Sequence, residues 1–469
     1  MAILALSQVR VGDAQYYKSR EELLRKAYKL IEEGEPVLLA YPSSWSDVNK
    51  IIDYLEREGH NPFMIDFSDP QYEYKLARGM VDPAIIVQAR YSRLAAGVYK
   101  KAHYRISTRK RVGRRELFSN PLKSLVEYLY APILYNPTSC ERLKGCSICV
   151  DLCPYYALKG KPPSVVVDAC TSCGLCLHVC PVEALSMPRT TVDGVEYYAS
   201  IISRSLDAGG LVLIVSLRDL GELYEVEHDK LRSPLLVFPV DSIVEVTPYM
   251  LARLGLKGLY PVIYAPSLKR IEPRMADVLE EIASIGLAYV AEALNEVVVK
   301  TGSVLKPKED LPGDPRRYVR ELVHLTMGEA LLSIPASGVV YVDGDKCTLC
   351  GACVTPCPTN ALEVKGDEGV KLLFKYDNCI ACKVCEKSCP EDAITVKWEA
   401  KRGLKGMVVE EAYSDIARCI SCGAPIGSVK LVEKVEARLK ERGVVGSVLE
   451  SIRLCNSCKA KRVSFHGGV

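Results

Sequence analysis

Four copies of a six-residue unit constrain this chain more than any other feature of its sequence. Each copy reads cysteine, proline, two variable residues, alanine, and then leucine or isoleucine. The copies begin at Cys153, Cys180, Cys357 and Cys389. Further cysteines precede each copy at short distances, and the 20 cysteines of the chain all fall within residues 140–180, 347–389 and 419–458. Cysteine use is therefore confined to three blocks.

The second block contains two consecutive runs of the form C-x2-C-x2-C-x3-C-P, which are CTLCGACVTPCP from Cys347 and CIACKVCEKSCP from Cys379. This pattern is typical of bacterial two-cluster ferredoxins, in which the last cysteine of each run ligates the other cluster. One predicted [4Fe–4S] set is therefore Cys347, Cys350, Cys353 and Cys389. The other is Cys379, Cys382, Cys385 and Cys357. We expect the proline to turn the chain into a short helix that carries Ala361 or Ala393.

The first block repeats this scheme with one irregular run. Its regular predicted set is Cys170, Cys173, Cys176 and Cys153. The other set is Cys140, Cys146, Cys149 and Cys180, in which five residues rather than two separate the first pair of cysteines. A complete [4Fe–4S] cluster is the first expectation for this set. The alternative is a three-iron cluster that leaves Cys140 without a metal.

Zinc is the alternative interpretation of these 16 cysteines, because zinc sites also use C-x2-C pairs. A zinc site does not require the longer run twice over, so the sequence favours four [4Fe–4S] clusters. The tail carries two simpler pairs, CISC and CNSC, which form one predicted metal site of four cysteines. Its members are Cys419, Cys422, Cys455 and Cys458. Structural zinc is the first expectation there, and a further iron site is the alternative.

Outside the cysteine blocks, apolar periodicity predicts alternating helices and strands. Residues 19–34 are typical of a helix with Ser19 and Glu22 as a capping box and Gly34 as its stop, and a buried strand follows. Residues 211–217 and 235–240 are further predicted strands. The next helix is expected to begin at Thr247 and Pro248 and to end at Gly255.

These patterns predict an α+β multi-domain chain. Two ferredoxin-like dicluster modules alternate with two small α/β domains, and a four-cysteine metal-binding tail follows. An internal duplication would explain this alternation. The expected segments are an α/β domain at 1–135, a ferredoxin module at 136–190, a cysteine-free α/β domain at 191–340, a second ferredoxin module at 341–400, and the tail at 401–469.

Composition limits the classes of function. A formal charge of +3 is small for 469 residues and argues against a nucleic-acid binder. The apolar runs are far shorter than the ~20 residues that cross a bilayer. The N-terminus lacks the pattern of a secretory signal, so we expect a cytoplasmic protein. Abundant lysine, arginine and glutamate beside very few glutamines favour a thermophilic source.

Three further features of the sequence bear on function. The chain has no GxxxxGK[ST] and no GxGxxG, so the local signatures of nucleotide binding are missing. His178 lies between Cys176 and Cys180 and is a candidate donor to a cluster sulfur, with a surface histidine as the alternative. The basic run TRKRVGRR at 108–115 is a candidate docking site for an acidic ferredoxin or a neighbouring subunit, with a solvated charged face as the alternative.

Residues 136–190 and 341–400 resemble the dicluster ferredoxin domains of polyferredoxins and of hydrogenase and heterodisulfide reductase complexes. The tail, with RCISCG and LCNSCK, is similar to the tails of ferredoxin-like subunits of membrane hydrogenases. Residues 237–266 resemble the delta subunit of methyl-viologen-reducing hydrogenases, whose cysteines bind a small cluster and which bridges to heterodisulfide reductase. No cysteine lies between Cys180 and Cys347 here. The resemblance therefore implies a docking role without a cluster, and an unrelated spacer is the alternative.

The resemblance implies an electron-transfer subunit of an anaerobic oxidoreductase complex, hydrogenase-like or heterodisulfide-reductase-like, that relays single electrons through four [4Fe–4S] clusters. Its expected partners are other subunits of that complex, with a soluble ferredoxin as a further candidate. The complex is a candidate for membrane association although this chain has no predicted transmembrane segment. No catalytic residue is assigned. The alternatives are a self-sufficient reductase with a substrate or flavin pocket in an α/β domain, and a scaffold in which clusters serve as staples.

Overall fold

The structure, a computed structural model, describes residues 2–6, 14–40, 44–99, 103–108, 126–206, 209–266, 273–300, 313–366 and 368–466. These residues combine helices with several small sheets, and the chain divides into two compact units. The first unit comprises Met1–Ser139 and Ile148–Met327, and the second comprises Cys140–Ser147 and Gly328–Val469. The boundaries of the five predicted segments stay predictions. Most of the basic run at 108–115 lies outside the described residues.

The first unit begins with a parallel four-stranded sheet in the order β2-β1-β3-β4. Its strands are β1 (Ala2–Leu6), β2 (Gln15–Tyr17), β3 (Val37–Ala40) and β4 (Ile65–Ser68). The accompanying helices are α1 (Arg20–Glu32), α2 (Ser44–Arg57), α3 (Pro70–Leu76) and α4 (Pro83–Ala95). Ser19 accepts a hydrogen bond from the Glu22 N–H at 3.2 Å, and Gly34 takes a φ of +79° after α1. The predicted start and stop of this helix are confirmed.

Short elements surround the first cysteine block. The strands pair antiparallel as β5 with β6, β7 with β10, and β8 with β9. Their bounds are β5 (His103–Thr108), β6 (Val126–Ala131), β7 (Ile133–Leu134), β8 (Leu158–Lys159), β9 (Ser164–Val165) and β10 (Leu185–Ser186). The helices are α5 (Pro137–Arg142), α6 (Ile148–Asp151), α7 (Leu175–His178) and α8 (Val192–Ser203). The boundary between the two units falls within α5.

A second parallel four-stranded sheet follows in the order β12-β11-β13-β14. Its strands are β11 (Gly210–Ser216), β12 (Leu235–Val240), β13 (Leu259–Tyr264) and β14 (Tyr289–Ala291). The helices are α9 (Pro248–Leu256), α10 (Pro273–Ser284), α11 (Leu294–Lys300) and α12 (Pro315–Thr326). The predicted strands at 211–217 and 235–240 are confirmed, with the first one residue shorter at its end. One apolar core contains buried residues of both sheets, among them Leu39, Phe67, Leu213 and Val237.

The predicted end of α9 at Gly255 is wrong. Thr247 accepts a hydrogen bond from the Met250 N–H, as expected for an N-cap, but the helix continues through Gly255 to Leu256. Gly258 takes the left-handed φ of +74° instead. A Cβ at Gly255 would lie 2.8 Å from the Tyr318 hydroxyl of α12. Gly255 therefore serves close packing between two helices rather than helix termination.

The second unit contains three antiparallel sheets, in the orders β15-β19-β16, β17-β18-β20 and β21-β22. Its strands are β15 (Glu329–Leu331), β16 (Gly338–Val342), β17 (Leu362–Gly366), β18 (Val370–Lys375), β19 (Ile394–Lys401), β20 (Val408–Ser414), β21 (Ile416–Arg418) and β22 (Pro425–Ser428). Its helices are α13 (Val384–Lys387), α14 (Val429–Glu441), α15 (Ser447–Glu450) and α16 (Asn456–His466). Within the described ranges, no helix has the length and apolar character needed to span a bilayer.

Candidate metal centres

All four Cys-Pro-x-x-Ala units fold into the same tight turn. The residue before the alanine takes a left-handed φ in each copy, at Tyr156 (+51°), Glu183 (+48°), Asn360 (+53°) and Asp392 (+48°). A strand begins one residue after the alanine, at Leu158, Leu185, Leu362 and Ile394. The expected short helix at Ala361 and Ala393 is therefore wrong, because a left-handed residue reverses the chain where a helix would have to continue.

This turn aims a backbone donor at each cysteine. The alanine N–H donates to the sulfur of the unit's own cysteine at 3.2 to 3.3 Å, in the pairs Ala157 and Cys153, Ala184 and Cys180, Ala361 and Cys357, and Ala393 and Cys389. Such N–H donors favour a negatively charged sulfur, and hydrogen bonds to sulfur are one determinant of cluster potential. The four units therefore share a local environment suited to a thiolate ligand.

The three regular runs share a second backbone feature. Two positions in each take a positive φ, namely Ser172 and Gly174, Leu349 and Gly351, and Ala381 and Lys383. Left-handed residues other than glycine are uncommon, so their repetition at matching positions marks a specific loop shape. Within residues 140–149 a positive φ occurs only at Gly145, and Cys140 lies in α5. The irregular run therefore differs from the others in backbone as well as in spacing.

In the first unit, one cavity collects a complete predicted set of ligands. Its lining includes Cys153, Cys170, Cys173 and Cys176, and its volume is about 440 Å³ with the space open to solvent included. Burial, followed by the neighbouring thiols, raises the pKa of Cys176 well above its usual value. Four convergent thiols around one cavity fit a [4Fe–4S] cluster. On binding, the positive charge of the iron would take the place of the protons that the thiols lose.

In the second unit, another cavity collects Cys347, Cys350, Cys353 and Cys389 in about 320 Å³. Burial, and then the neighbouring thiols, raise the pKa of Cys353 to about 12. Cys350 is exposed, whereas Cys347 and Cys353 are buried. This site again joins three cysteines of one run to the last cysteine of the other.

The next predicted set, Cys379, Cys382, Cys385 and Cys357, also lies together in the second unit. Burial raises the pKa of Cys385, and the thiols of the other three members raise it further.

The last set is divided between the units, since Cys140 and Cys146 belong to the second unit and Cys149 and Cys180 to the first. A cluster bound by those four cysteines stays a prediction.

The tail brings its four cysteines into one group. The sulfur atoms of Cys419, Cys422, Cys455 and Cys458 all lie within 4.8 Å of one another. Hydrogen bonds from backbone N–H groups, led by that of Cys455, lower the pKa of Cys419 to about 6. Four thiolates at this separation fit a single tetrahedral ion such as zinc or iron.

The tail also holds the loop of a predicted cluster site, which sequence reasoning missed. The Ser428 hydroxyl donates to the Thr348 carbonyl at 2.5 Å, and Lys430 donates to the Gly344 carbonyl at 2.7 Å. Glu391, two residues after Cys389, pairs with Arg438 of α14 at 2.7 Å. Helix α14 is therefore attached on both sides of the cavity lined by Cys347, Cys350, Cys353 and Cys389.

His178 is buried, so the alternative of a surface histidine is wrong. Its Nε2 lies 2.9 Å from the carbonyl oxygen of Val244, on the segment that follows β12. Burial lowers the pKa of His178 to about 4, so the ring is neutral at neutral pH and donates from Nε2. The histidine therefore joins the cysteine block to the second α/β sheet.

Sequence reasoning also missed a buried group of charged side chains in the first unit, here termed the buried charge group. Its members are Asp66, Glu73, Arg90, Arg93, Arg189, Asp241 and Glu245. Asp66 pairs with Arg90 and Arg93, both at 2.9 Å. Arg90 also pairs with Glu73 at 2.6 Å, and Arg189 pairs with Asp241 at 3.1 Å. Two arginines three positions apart on one helix, Arg90 and Arg93, were the only available sequence signal.

A model of the 4Fe-4S binding domain matches the chain at residues 163–186, 340–363 and 373–395. The chain is an iron–sulfur, ferredoxin-like protein. The three matches in this ferredoxin-like chain coincide with the three runs of regular spacing, whereas the run from Cys140 to Cys153 lies outside them. No curated protein sequence matches the chain.

Proposed function

We propose that this chain is an electron-transfer subunit that relays single electrons through four [4Fe–4S] clusters between partner proteins. The partners are other subunits of an anaerobic oxidoreductase complex of the hydrogenase or heterodisulfide reductase kind. The observation that carries this proposal is the fourfold repetition of one turn that aims an alanine N–H at a cysteine sulfur. Four copies of one ligand environment are expected if the chain holds four redox centres of the same type.

The cysteines would hold the clusters in the four predicted sets, and a bound [4Fe–4S] cluster supplies one-electron redox chemistry. The surrounding chain tunes that chemistry. The alanine N–H groups offset negative charge on the sulfur atoms, and buried side chains such as Leu349 and Leu177 keep water away from the loops. Both effects set the potential at which an electron is held.

A relay needs at least one centre near the surface. Cys350 is exposed and is a member of the set that lines the cavity of the second unit. A partner that contacts the surface at Cys350 would come close to this centre without any rearrangement of the chain. With zinc bound, the tail site would supply a structural metal rather than a redox step, because Zn²⁺ has no redox chemistry.

The experiment that tests this proposal is a count of iron, sulfide, zinc and flavin in anaerobically purified protein, together with its EPR spectrum after reduction by dithionite. We expect about sixteen irons per chain, one zinc, no flavin, and interacting [4Fe–4S] signals. Zinc in place of iron would contradict the electron-transfer function. Bound flavin would instead support a self-sufficient reductase.

Two matched variants test which cysteines bind iron and which bind zinc. Cys385→Ser removes a predicted cluster ligand and is expected to lower the iron content by about four atoms while the zinc is retained. Cys455→Ser removes a ligand of the tail site and is expected to lose the zinc while the iron is retained. Loss of zinc from the first variant, or of four irons from the second, would overturn the assignment of these sets.

A further inference from the structure

The buried charge group contains four carboxyl groups and three guanidinium groups. The carboxyl groups belong to Asp66, Glu73, Asp241 and Glu245, and the guanidinium groups to Arg90, Arg93 and Arg189. If all seven were ionised, the group would carry one uncompensated negative charge away from water. A buried charge without a partner is strongly disfavoured, so a proton on one carboxyl group is the favoured state.

Glu245 is the carboxyl group best placed to hold that proton. The other three each pair with an arginine, whereas Glu245 binds two neutral groups. Burial also raises the pKa of Glu73, but its partner Arg90 holds that pKa to about 7. The Thr190 hydroxyl lies 2.7 Å from its Oε2, and the Ser242 N–H donates to its Oε1 at 3.0 Å. A hydroxyl group can donate to a carboxylate or accept from a carboxylic acid, so Thr190 serves both protonation states.

Glu245 is also adjacent to the cysteine loop of the first unit. The carbonyl oxygen of the preceding residue, Val244, accepts from His178 Nε2 at 2.9 Å, and a Cβ at Gly174 would lie only 2.6 Å from the same oxygen. Gly174 lies between Cys173 and Cys176, which line the cavity of that unit. One peptide unit therefore separates Glu245 from direct contact with the loop.

We propose that Glu245 is a proton-binding site that controls the potential of the cluster held by Cys153, Cys170, Cys173 and Cys176. A one-electron donor, either a ferredoxin-type partner or dithionite, supplies the electron. When the Glu245 carboxylate is ionised, it takes up one proton from solvent as the electron arrives, and it releases that proton on reoxidation. This inference rests on the proposed function, because it requires a redox centre at these cysteines.

The charged and titratable groups around Glu245 come from several elements. They are Asp241 on its own segment, Arg189 on the segment after β10, His178 on α7, and, around Asp241 and Arg189, Asp66, Arg93, Glu56 and Tyr99. Burial, and then the charge of Asp241, raise the pKa of Glu245 to about 8. The Asp241 side chain is 9% exposed and Glu245 is 1% exposed, so Asp241 is the closer of the two acids to water.

The direction of the pH dependence follows from these charges. Below the pKa of about 8, Glu245 is protonated in both redox states and therefore contributes no pH dependence to the potential. Above it, the added negative charge of the reduced state favours proton uptake. The equilibrium constant for reduction then falls up to tenfold per pH unit, which is 59 mV for a one-electron couple.

The test is a redox titration of the whole protein, followed by EPR, at pH values that bracket a pKa of about 8. We expect one signal to keep a constant potential at neutral pH and to fall at alkaline pH. In Glu245→Gln the side chain imitates the protonated acid, so its potential should match the wild type at neutral pH and should not fall at alkaline pH. Glu196→Gln, which alters a part-exposed glutamate of the first unit paired with Lys257 at 3.5 Å, is the control and should keep the wild-type profile.

A second measurement does not depend on the variant. Redox-difference infrared spectroscopy of the wild-type protein at alkaline pH should show the carbonyl band of a protonated carboxyl group appear on reduction and shift in heavy water. Potentials that are independent of pH in the wild type, or a fall that persists in a folded Glu245→Gln, would overturn the proton site while leaving the electron-transfer function intact. Absence of any cluster signal would overturn the proposed function itself.

Discussion

The hydroxyl of Ser428 donates a 2.5 Å hydrogen bond to the backbone carbonyl of Thr348, the residue that follows Cys347. The same hydroxyl accepts from the Leu431 N–H at 3.1 Å and thereby caps the first turn of α14. One buried side chain therefore both starts a tail helix and holds a loop of predicted cluster ligands. The tail is thus part of the environment of that loop.

Replacement of this serine should loosen the loop. Ser428→Ala removes a helix cap and leaves the Thr348 carbonyl buried without this partner, so we expect a loss of about 2 kcal/mol in the free energy of unfolding. The loss can be measured by chemical denaturation, followed through a spectroscopic signal that reports on the second unit. Ser447→Ala, at the exposed start of α15, is the control and should change stability by less than about 0.5 kcal/mol. Equal effects of the two substitutions would contradict this role for Ser428.

Removal of a metal bound at the tail site should selectively disturb the predicted centre that contains Cys347. Arg453, two residues before Cys455, pairs with Glu436 of α14 at 2.7 Å, so the four-cysteine group is linked to the helix that pairs with Glu391. Chelation of the tail metal, or Cys458→Ser, should speed proteolysis after α14 and broaden the EPR signal of the set that contains Cys347. The signals of the first unit serve as the internal control. An unchanged signal from the Cys347 set after complete metal loss would contradict this link.

A substitution in the turn at Cys153 should stabilise the first unit. Tyr156 takes a left-handed φ of +51° while its side chain is 80% exposed, and the equivalent positions carry Glu183, Asn360 and Asp392. A left-handed conformation costs a bulky residue about 1 kcal/mol, and asparagine tolerates it better. Tyr156→Asn should therefore raise the apparent melting temperature of the first unit by a few degrees.

The reciprocal substitution provides the control. Asn360→Tyr places a bulky side chain in the equivalent turn of the second unit, where φ is +53°. We expect a loss of about 1 kcal/mol there. A gain of stability in Asn360→Tyr, or a loss in Tyr156→Asn, would show that the left-handed backbone does not govern these turns.

Acid should destabilise the first unit through Asp66. Burial alone would raise the pKa of this carboxyl group, but the attraction of Arg90 and Arg93 outweighs burial, and the net pKa is below its usual value. Its stabilising contribution is therefore complete above the unfolded value of 3.8 and is lost as the pH falls through the lower, folded value. Asp66→Asn should lower the free energy of unfolding by about 3 kcal/mol at neutral pH. It should also reduce the further loss of stability that the wild type shows at acid pH.

The measurement is the unfolding free energy of the wild type and of Asp66→Asn as a function of pH. Asp53→Asn is a suitable control, because Asp53 pairs with Arg218 at 3.0 Å on a part-exposed surface. That substitution should cost less than about 1 kcal/mol. A steep acid limb that survives in Asp66→Asn would assign acid sensitivity to other groups.

Features with a local cause were predictable from the sequence, and features with a distant cause were not. The cap at Ser19 was predictable, since its partner Glu22 lies three residues away. Gly255 was misread because its role depends on Tyr318, which is remote in the chain. The cysteine spacing identified the sets that line the two cavities, although the left-handed turn was hidden by the variety of residues that occupy it.

The buried charge group has a similar explanation. Asp66, Arg93 and Arg189 come from separate elements, and no short motif links them. His178 was considered only against its cysteine neighbours, although its partner Val244 belongs to a segment far along the chain. Long-range contacts of this kind depend on the order of the strands in the sheets, which no short sequence motif specifies.

The two parallel sheets of the first unit share one strand order, β2-β1-β3-β4 and β12-β11-β13-β14, and contribute to a common apolar core. Two tandem copies of a single ancestral gene would produce this repetition. An ancestor with one copy would have lacked the apolar residues that the other half now contributes to this core. Such an ancestor would have needed to form a homodimer, and fusion of its two genes would have made that association permanent and independent of protein concentration.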